Sequence, residues 1–313
     1  MTEVIDRWTV GNVTITRVVE FESGGFPPGF MFAGLTEDRV KSIGWLHPNY
    51  ADPDGTIHYA VQAFIVESRG HRIIVDTCIG NDKQRGYAGW NRLQLPFLER
   101  MTAVGLPPES IDYVLCTHLH LDHVGWNTRW DGEKWVPTFP NARYLFGRLE
   151  WEHWNRETLD TGEMPEFAAG LAEQSVVMAD SVMPIVKAGL NELVETHHKL
   201  TDEVSLFATP GHTPGHVSVA IRSRGREAVI TGDLIHSPIQ LADPAICANF
   251  DFDPKIAYGT RQAFVSYHSD RDVLVLGTHF PSPAVGRIVR DVGGWCFAPT
   301  PPHAFDDDFD ATG

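Results

Sequence analysis

The run "THLHLDHVGWN" at residues 117–127 sets His118, His120, Asp122 and His123 within six positions. Neutral imidazole and carboxylate are ligand types that suit zinc, and also iron or manganese. Two histidines two apart on extended backbone point to one face and can grip one cation. Asp122 and His123 stand where the chain would turn into a helix, and from there can face a second cation. Burying four such groups without partners would be costly, so their crowding argues for ligands. Two divalent cations sharing a water lower its pKa from about 15.7 to about 7 and polarise a carbonyl or phosphoryl oxygen. The chemistry this points to is metal-assisted hydrolysis.

Such a site needs rigid supports, and the flanking segments supply them. "IDYVLCT" (111–117) reads as a buried strand that runs into the cluster. Three further apolar β runs each deliver a histidine or aspartate at the C-terminal end. "VSLFATPGHTPGH" delivers His212 and His216, "AVITGDLIH" delivers Asp233 and His236, and "VLVLGTH" delivers His279. If the four ends converge, His118, His120 and His212 face one cation. Asp122, His123 and His279 then face the other, with Asp233 between them as a bridge. Asp76, ending "RIIVDT", is a candidate to accept the second N–H of a ligating imidazole, or a simple strand cap.

Residues 12–21 read as a strand, and 60–77 and 216–233 as hairpins with Arg-Gly tips. "ARYLFG" (142–147) reads as a strand, followed by "RLEWEHWNRET" with helical composition. Helical spacing runs over about 165–190 until Pro184 interrupts it, and 255–270 reads as a helix. The stretch 22–59, rich in glycine, proline and aromatics, reads as one long irregular connection, usually functional when it occurs. It is expected to form a lid or pocket wall carrying Phe26, Phe30, Phe32 and Trp45, or a contact with a second copy in a homodimer. Residues 298–313 read as a flexible acidic tail. Nothing marks a linker, so one domain over 1–313 is expected.

With 42% hydrophobic and 21% charged residues, the composition is that of an ordinary globular protein. A net charge of -16 argues against nucleic acid or an anionic membrane as partner and leaves a small-molecule substrate. The four cysteines form no CxxC pair, which speaks against a disulfide framework or a cysteine zinc site. The start "MTEVIDRWTV" lacks the pattern of a secretory signal, and no run approaches the roughly 20 apolar residues of a membrane helix. A cytoplasmic location is expected.

Taken in order over about residues 60–280, "HLHLDH", "PGHTPGH", "GD" and "GTH" closely resemble the metallo-β-lactamase-fold superfamily of metallohydrolases. The resemblance implies an α/β fold, a four-layer αββα sandwich with two divalent metal ions (zinc, or manganese or iron) at one edge between the sheets. It implies that His212, the first histidine of GHxxGH, is the ligand, and it leaves His216 in a supporting role. It also implies that Asp122 combines ligation with accepting a proton from the attacking water. An aspartate bridge at Asp233 is similar to the lactonase and phosphotriesterase branches. Lactonases of that kind carry a tyrosine three residues after the bridge; His236 stands there instead. Its expected role is donation to the substrate carbonyl or the developing oxyanion, against that of a buried structural histidine. "GDLIHSPIQL" looks more like methyl-parathion-hydrolase-like and pyridoxolactonase-like members. Trp126 departs from the common "DHxGG" pattern and is expected to narrow the pocket or stack on a ring. The function implied is a dinuclear hydrolase of a lactone or carboxylic ester. A phosphotriesterase, a β-lactamase-like hydrolase and a non-hydrolytic metal or redox protein remain as alternatives.

Overall fold

The computed structural model describes residues 6–157 and 174–302. Alternating and fully apolar β runs assemble into two large sheets. The first holds β1 (Arg7–Val10), β2 (Val13–Phe26), β3 (Ile57–Ser68), β4 (His71–Val75) and β5 (Tyr113–Leu115). After a small ribbon of β6 (Thr128–Trp130) and β7 (Trp135–Pro137), β8 (Arg143–Gly147) and β9 (Asn191–Val194) complete it, in the order β1-β2-β3-β4-β5-β8-β9. The second sheet runs in sequence order through β10 (Val204–Ala208), β11 (Val217–Ser223), β12 (Arg226–Ile230), β13 (Val273–Leu276), β14 (Val285–Asp291) and β15 (Gly294–Pro299).

Both expected hairpins form for a local reason. Arg69-Gly70 and Arg224-Gly225 all take positive φ, as the two central residues of a type I′ turn must. Those turns set the registers Ser68↔His71 and Ser223↔Arg226. The parallel pairings β4–β5, β5–β8, β8–β9 and β12–β13 then bring strands from distant parts of the chain side by side. Strands covered on both faces read as continuous apolar runs, and all four residues of β13 are buried. Helix Phe97–Ala103 lies on β2 and helix Arg148–Glu157 on β8 and β9. Buried apolar side chains of the two sheets form one continuous cluster. The architecture is the αββα sandwich that the sequence implied.

The 22–59 stretch is more ordered than expected. Strand β2 continues to Phe26, helices occupy Pro28–Met31 and Glu37–Lys41, and β3 begins at Ile57. Of its aromatics, Phe26 and Phe30 line the cavity described below, whereas Phe32 is buried and Trp45 packs edge-on to Tyr50. Pro184 interrupts less than its chemistry suggests. A π turn at Met178–Val182 widens the helix just ahead of it, and Pro184 falls in the first turn of the next helical piece, Met183–Lys187. There its missing N–H costs nothing. Much of the remaining 165–190 helix, and the tail beyond residue 302, lie outside the described residues. The β14–β15 hairpin went unread in the sequence, where "VGRIVRD" shows no strict alternation.

Candidate metal centre

Five strands end on one edge of the sandwich, and each carries polar residues just past its C-terminal end. β4 leads to Asp76, β5 to His118, β10 to His212, β12 to Asp233 and β13 to His279. Binding residues on loops held by rigid strand ends are the usual arrangement of a site. At "HLHLDH" the strand β5 stops short, at Leu115, while His120 keeps the extended backbone expected (φ -73°, ψ 164°) as the residue that precedes the short helix Leu121–Val124. His118 presents Nε2 and His120 presents Nδ1, 3.1 Å apart, with His212 Nε2 2.9 Å from the latter. Asp122 and His123 occupy the first turn of that helix, as expected. His123 Nε2 lies 3.2 Å from His279 Nε2.

Asp233 sits between the two groups. Its Oδ2 is 3.7 Å from His118 Nε2 and 3.2 Å from His212 Nε2. Its Oδ1 is 3.1 Å from His123 Nε2 and 2.9 Å from His279 Nε2. Asp122 completes the second group, with Oδ1 3.6 Å from His123 Nε2 and Oδ2 3.6 Å from His279 Nε2. All the expected ligand candidates are thus brought together. Their ligand atoms form sets of three within 4.8 Å of one another: His118, His120 and His212; His118, His123 and Asp233; Asp122, His123 and His279.

The supporting contacts fix which nitrogen of each ring faces inward. His123 Nδ1 donates to Asp76 Oδ2 at 2.9 Å, His212 Nδ1 to Asp251 Oδ1 at 3.1 Å, and His279 Nδ1 to the Ala60 carbonyl at 2.9 Å. Each Nε2 therefore presents a lone pair to the centre unless a proton is taken up. His216 takes the supporting role left to it. Burial pushes it down to about 3, so it is neutral: Nδ1 donates to the Thr209 carbonyl while Nε2 accepts from the Asp233 amide at 2.8 Å. Only glycine fits at 232, where φ is +54° and a Cβ would lie 2.6 Å from that same Nε2.

Sequence reading missed Asp251, Glu150 and Tyr59. Glu150 accepts from the Gly215 amide and the Trp154 indole, both at 2.8 Å, and so ties the "PGHTPGH" loop to helix Arg148–Glu157. Tyr59 donates from its hydroxyl to Asp122 Oδ2 at 3.0 Å. Isolated carboxylates and a strand tyrosine carry no local signal, because the site groups they hold (His212, the Gly215 amide and Asp122) lie 39 to 65 positions away.

A cavity of about 220 Å³ opens onto this cluster, lined at its base by His120, Asp122, His212 and Asp233. Its described walls are mainly apolar, with Phe26, Phe30, Met31, Tyr59, Trp90 and Phe250 among them. Trp126 is not part of the lining, contrary to expectation. Its ring stacks on Phe97 in the core and its Nε1 donates to Glu20, whose carboxyl burial pushes up to about 7. The backbone forces this: a Cβ at Gly125 would fall 1.8 Å from the Ile79 carbonyl oxygen, so the chain there lies flush against the loop after β4. His236 is also outside the described lining. It is buried between Phe32 and Phe250, with Nε2 3.1 Å from Asp233 Oδ2 but off the hydrogen-bond line, and neither ring nitrogen has a hydrogen-bond partner.

The donor set fits a pair of cations. Around Asp233 Oδ1, which has no hydrogen-bond donor, two imidazole nitrogens converge at 2.9 and 3.1 Å, themselves 3.2 Å apart. Acceptors that close repel unless a proton or a metal ion lies among them. Burial holds His118 and His120 well below the usual imidazole range, which keeps them neutral. Burial acts the same way on His123 and His279, but Asp233 and neighbouring carboxylates outweigh it and raise both. A cation replaces those protons directly.

A family model described as the metallo-beta-lactamase superfamily matches residues 58–279. The chain belongs to this superfamily. Among curated relatives, the N-acyl homoserine lactonase AttM of Rhizobium radiobacter is 30% identical over 204 residues, covering 61% of this chain and 68% of that protein. The N-acyl homoserine lactonase AiiA of Bacillus thuringiensis subsp. kurstaki is 24% identical over 218 residues, covering 66% and 75%. Among solved structures, the hydrolase AbOPH superposes with a TM-score of 0.79 at 25% identity, covering 95% of this chain and 97% of that one. The dizinc quorum-quenching lactonase AidC, solved with a product, superposes with a TM-score of 0.75 at 20% identity over the same shares, a likeness of fold.

Proposed function

We propose that this metallo-beta-lactamase-superfamily protein hydrolyses a lactone or a compact carboxylic ester at a pair of divalent cations, with zinc as the working ion. The observation that carries this reading is Asp233, whose two carboxylate oxygens face two separate sets of imidazole nitrogens. His118, His120 and His212 would hold one cation; Asp122, His123 and His279 would hold the other; Asp233 would serve both. Bound there, the cations supply a Lewis acid for the substrate carbonyl and lower the pKa of a shared water to about 7. Asp122 lies on the cavity floor and accepts the proton that the attacking water gives up. His236 is buried behind the bridging carboxylate, its Nε2 3.1 Å from Asp233 Oδ2, and reaches a substrate oxygen only past that group. The relatives' names, lactonases of N-acyl homoserine lactones, support the ester-like substrate class.

Cavity size bounds the substrate. At about 220 Å³ it exceeds the roughly 150 Å³ that accepts a benzene, yet falls short of the roughly 300 Å³ at which sites for drug-sized ligands begin. A ring or short chain fits beside the reacting carbonyl, and a long acyl chain would have to run out past the half-exposed Phe30. The test is a panel of lactones, aryl esters and phosphotriesters with zinc-loaded protein. Lactones or esters should be turned over with kcat/KM well above any phosphotriester. Absence of turnover across the panel refutes the proposal, and unchanged turnover in His236→Ala removes that residue from it.

A further inference from the structure

Two consecutive residues at the start of β3 grip the second group of ligand candidates from one side. The Ala60 amide donates to the His279 carbonyl at 3.1 Å, and His279 Nδ1 returns a hydrogen bond to the Ala60 carbonyl at 2.9 Å. Tyr59, the residue before, lays its ring flat on the same imidazole, with centroids 4.4 Å apart and planes 16° apart. Its hydroxyl continues past that ring and donates to Asp122 Oδ2 at 3.0 Å. The side chain is buried, yet it lines the cavity. Packing explains a buried aromatic ring, since Trp90 stacks on its outer side at 6.2 Å. Packing does not explain the hydroxyl, which phenylalanine would spare and which here ends on the carboxylate of a ligand candidate.

We infer that Tyr59 is a positioning residue for the second cation, fixing through its hydroxyl which oxygen of Asp122 the cation receives and through its ring the plane of His279. The inference rests on the dinuclear reading above. Oδ2 is engaged by the phenol, and Oδ1, 3.6 Å from His123 Nε2, is left to the cation. Without the phenol the carboxylate is free to rotate about its Cβ–Cγ bond and offer both oxygens, or to swing Oδ2 toward His279 Nε2, 3.6 Å away. The first group is untouched, because none of His118, His120 and His212 is hydrogen-bonded to Tyr59 or Asp122.

Tyr59→Phe is the test, because it keeps the ring and its stacking and removes one oxygen. Supporting partners of metal ligands are typically worth about 10–100-fold in metal affinity or activity. Competition with a chelator should show the second zinc ion held 10- to 100-fold more weakly than in the wild type, with the first unchanged. In cobalt-substituted protein the visible absorption of the second equivalent should change while that of the first is retained. Turnover should lose kcat with little change in KM. Equal affinity for both ions with wild-type kcat makes Tyr59 a packing residue and overturns the inference. Equal weakening of both ions also overturns it, as a general effect on the fold. Wild-type protein that binds fewer than two ions overturns the dinuclear reading itself, and this inference with it.

Discussion

Asp76 accepts a left-handed backbone, φ 58°, just where its carboxylate is needed. Such a conformation costs an ordinary residue of order 1 kcal/mol or more and persists only where surrounding contacts determine it. Here they do: Oδ1 accepts from the Thr117 amide at 2.8 Å, and Oδ2 accepts from His123 Nδ1 at 2.9 Å. One side chain thus fixes both the entry to the histidine cluster and the tautomer of one of its members. Asp76→Ala should weaken zinc binding by about 10–100-fold, read by chelator competition, while a folded far-UV spectrum is kept. At this scale the ligand candidates were legible because their chemistry is local: four groups in six positions have few other uses. Asp251 was illegible in "NFDFDP", since its meaning arises only when His212 arrives from 39 positions away. Trp126 was misread because bulk in a motif says nothing about which side of the backbone it takes.

Among the elements, the segment between β12 and the helix Pro254–His268 carries both His236 and Asp251, and a single buried guanidinium organises it. Arg261 donates to the carbonyls of Pro244, Leu234 and Ile246 at 2.9–3.0 Å. Each buried acceptor left without its donor costs about 1–3 kcal/mol. Gln240 still donates to the Ile246 carbonyl, so Arg261→Leu strands the other two and should lower the unfolding free energy by roughly 2 kcal/mol or more in urea denaturation. On the other flank, Lys83 is buried over the Trp135 ring and donates to Thr128 and to the Asp180 carbonyl. Burial pulls its pKa down from 10.5 to about 7, Asp180 offsetting only part of that cost. Between about pH 7 and 10.5 the unfolded chain then binds more protons at this residue than the folded one, so the stability it contributes rises with pH. It is fully present above 10.5 and lost as pH falls through about 7. Denaturation of the zinc-loaded protein should show wild type gaining on Lys83→Met from pH 7.5 to 9.5; a flat difference would contradict the depressed pKa. Hairpins were readable here because an Arg-Gly pair states its own turn. The parallel pairing of β4, β5 and β8 was not, because pairing over such distances leaves no trace in either strand.

For the whole molecule, the αββα sandwich works as a clamp whose two sheets bring ligand candidates from residues 118 to 279 onto one edge. Its acidic charge of -16 attracts cations toward the molecule. No described helix is long and apolar enough to cross a membrane. The fold class was legible through the resemblance that four motifs in a fixed order carry to the metallo-β-lactamase-fold superfamily. The ordered 22–59 segment was not legible: its glycines and prolines read as irregular, whereas its aromatics hold two short helices and a strand end against the core. The most direct test of the account is turnover of a lactone by metal-free protein titrated with zinc, followed against ions bound per chain. The account predicts that turnover stays low through the first equivalent, rises with the second and levels off at two. Full turnover without metal, or a plateau at one ion per chain, would contradict it.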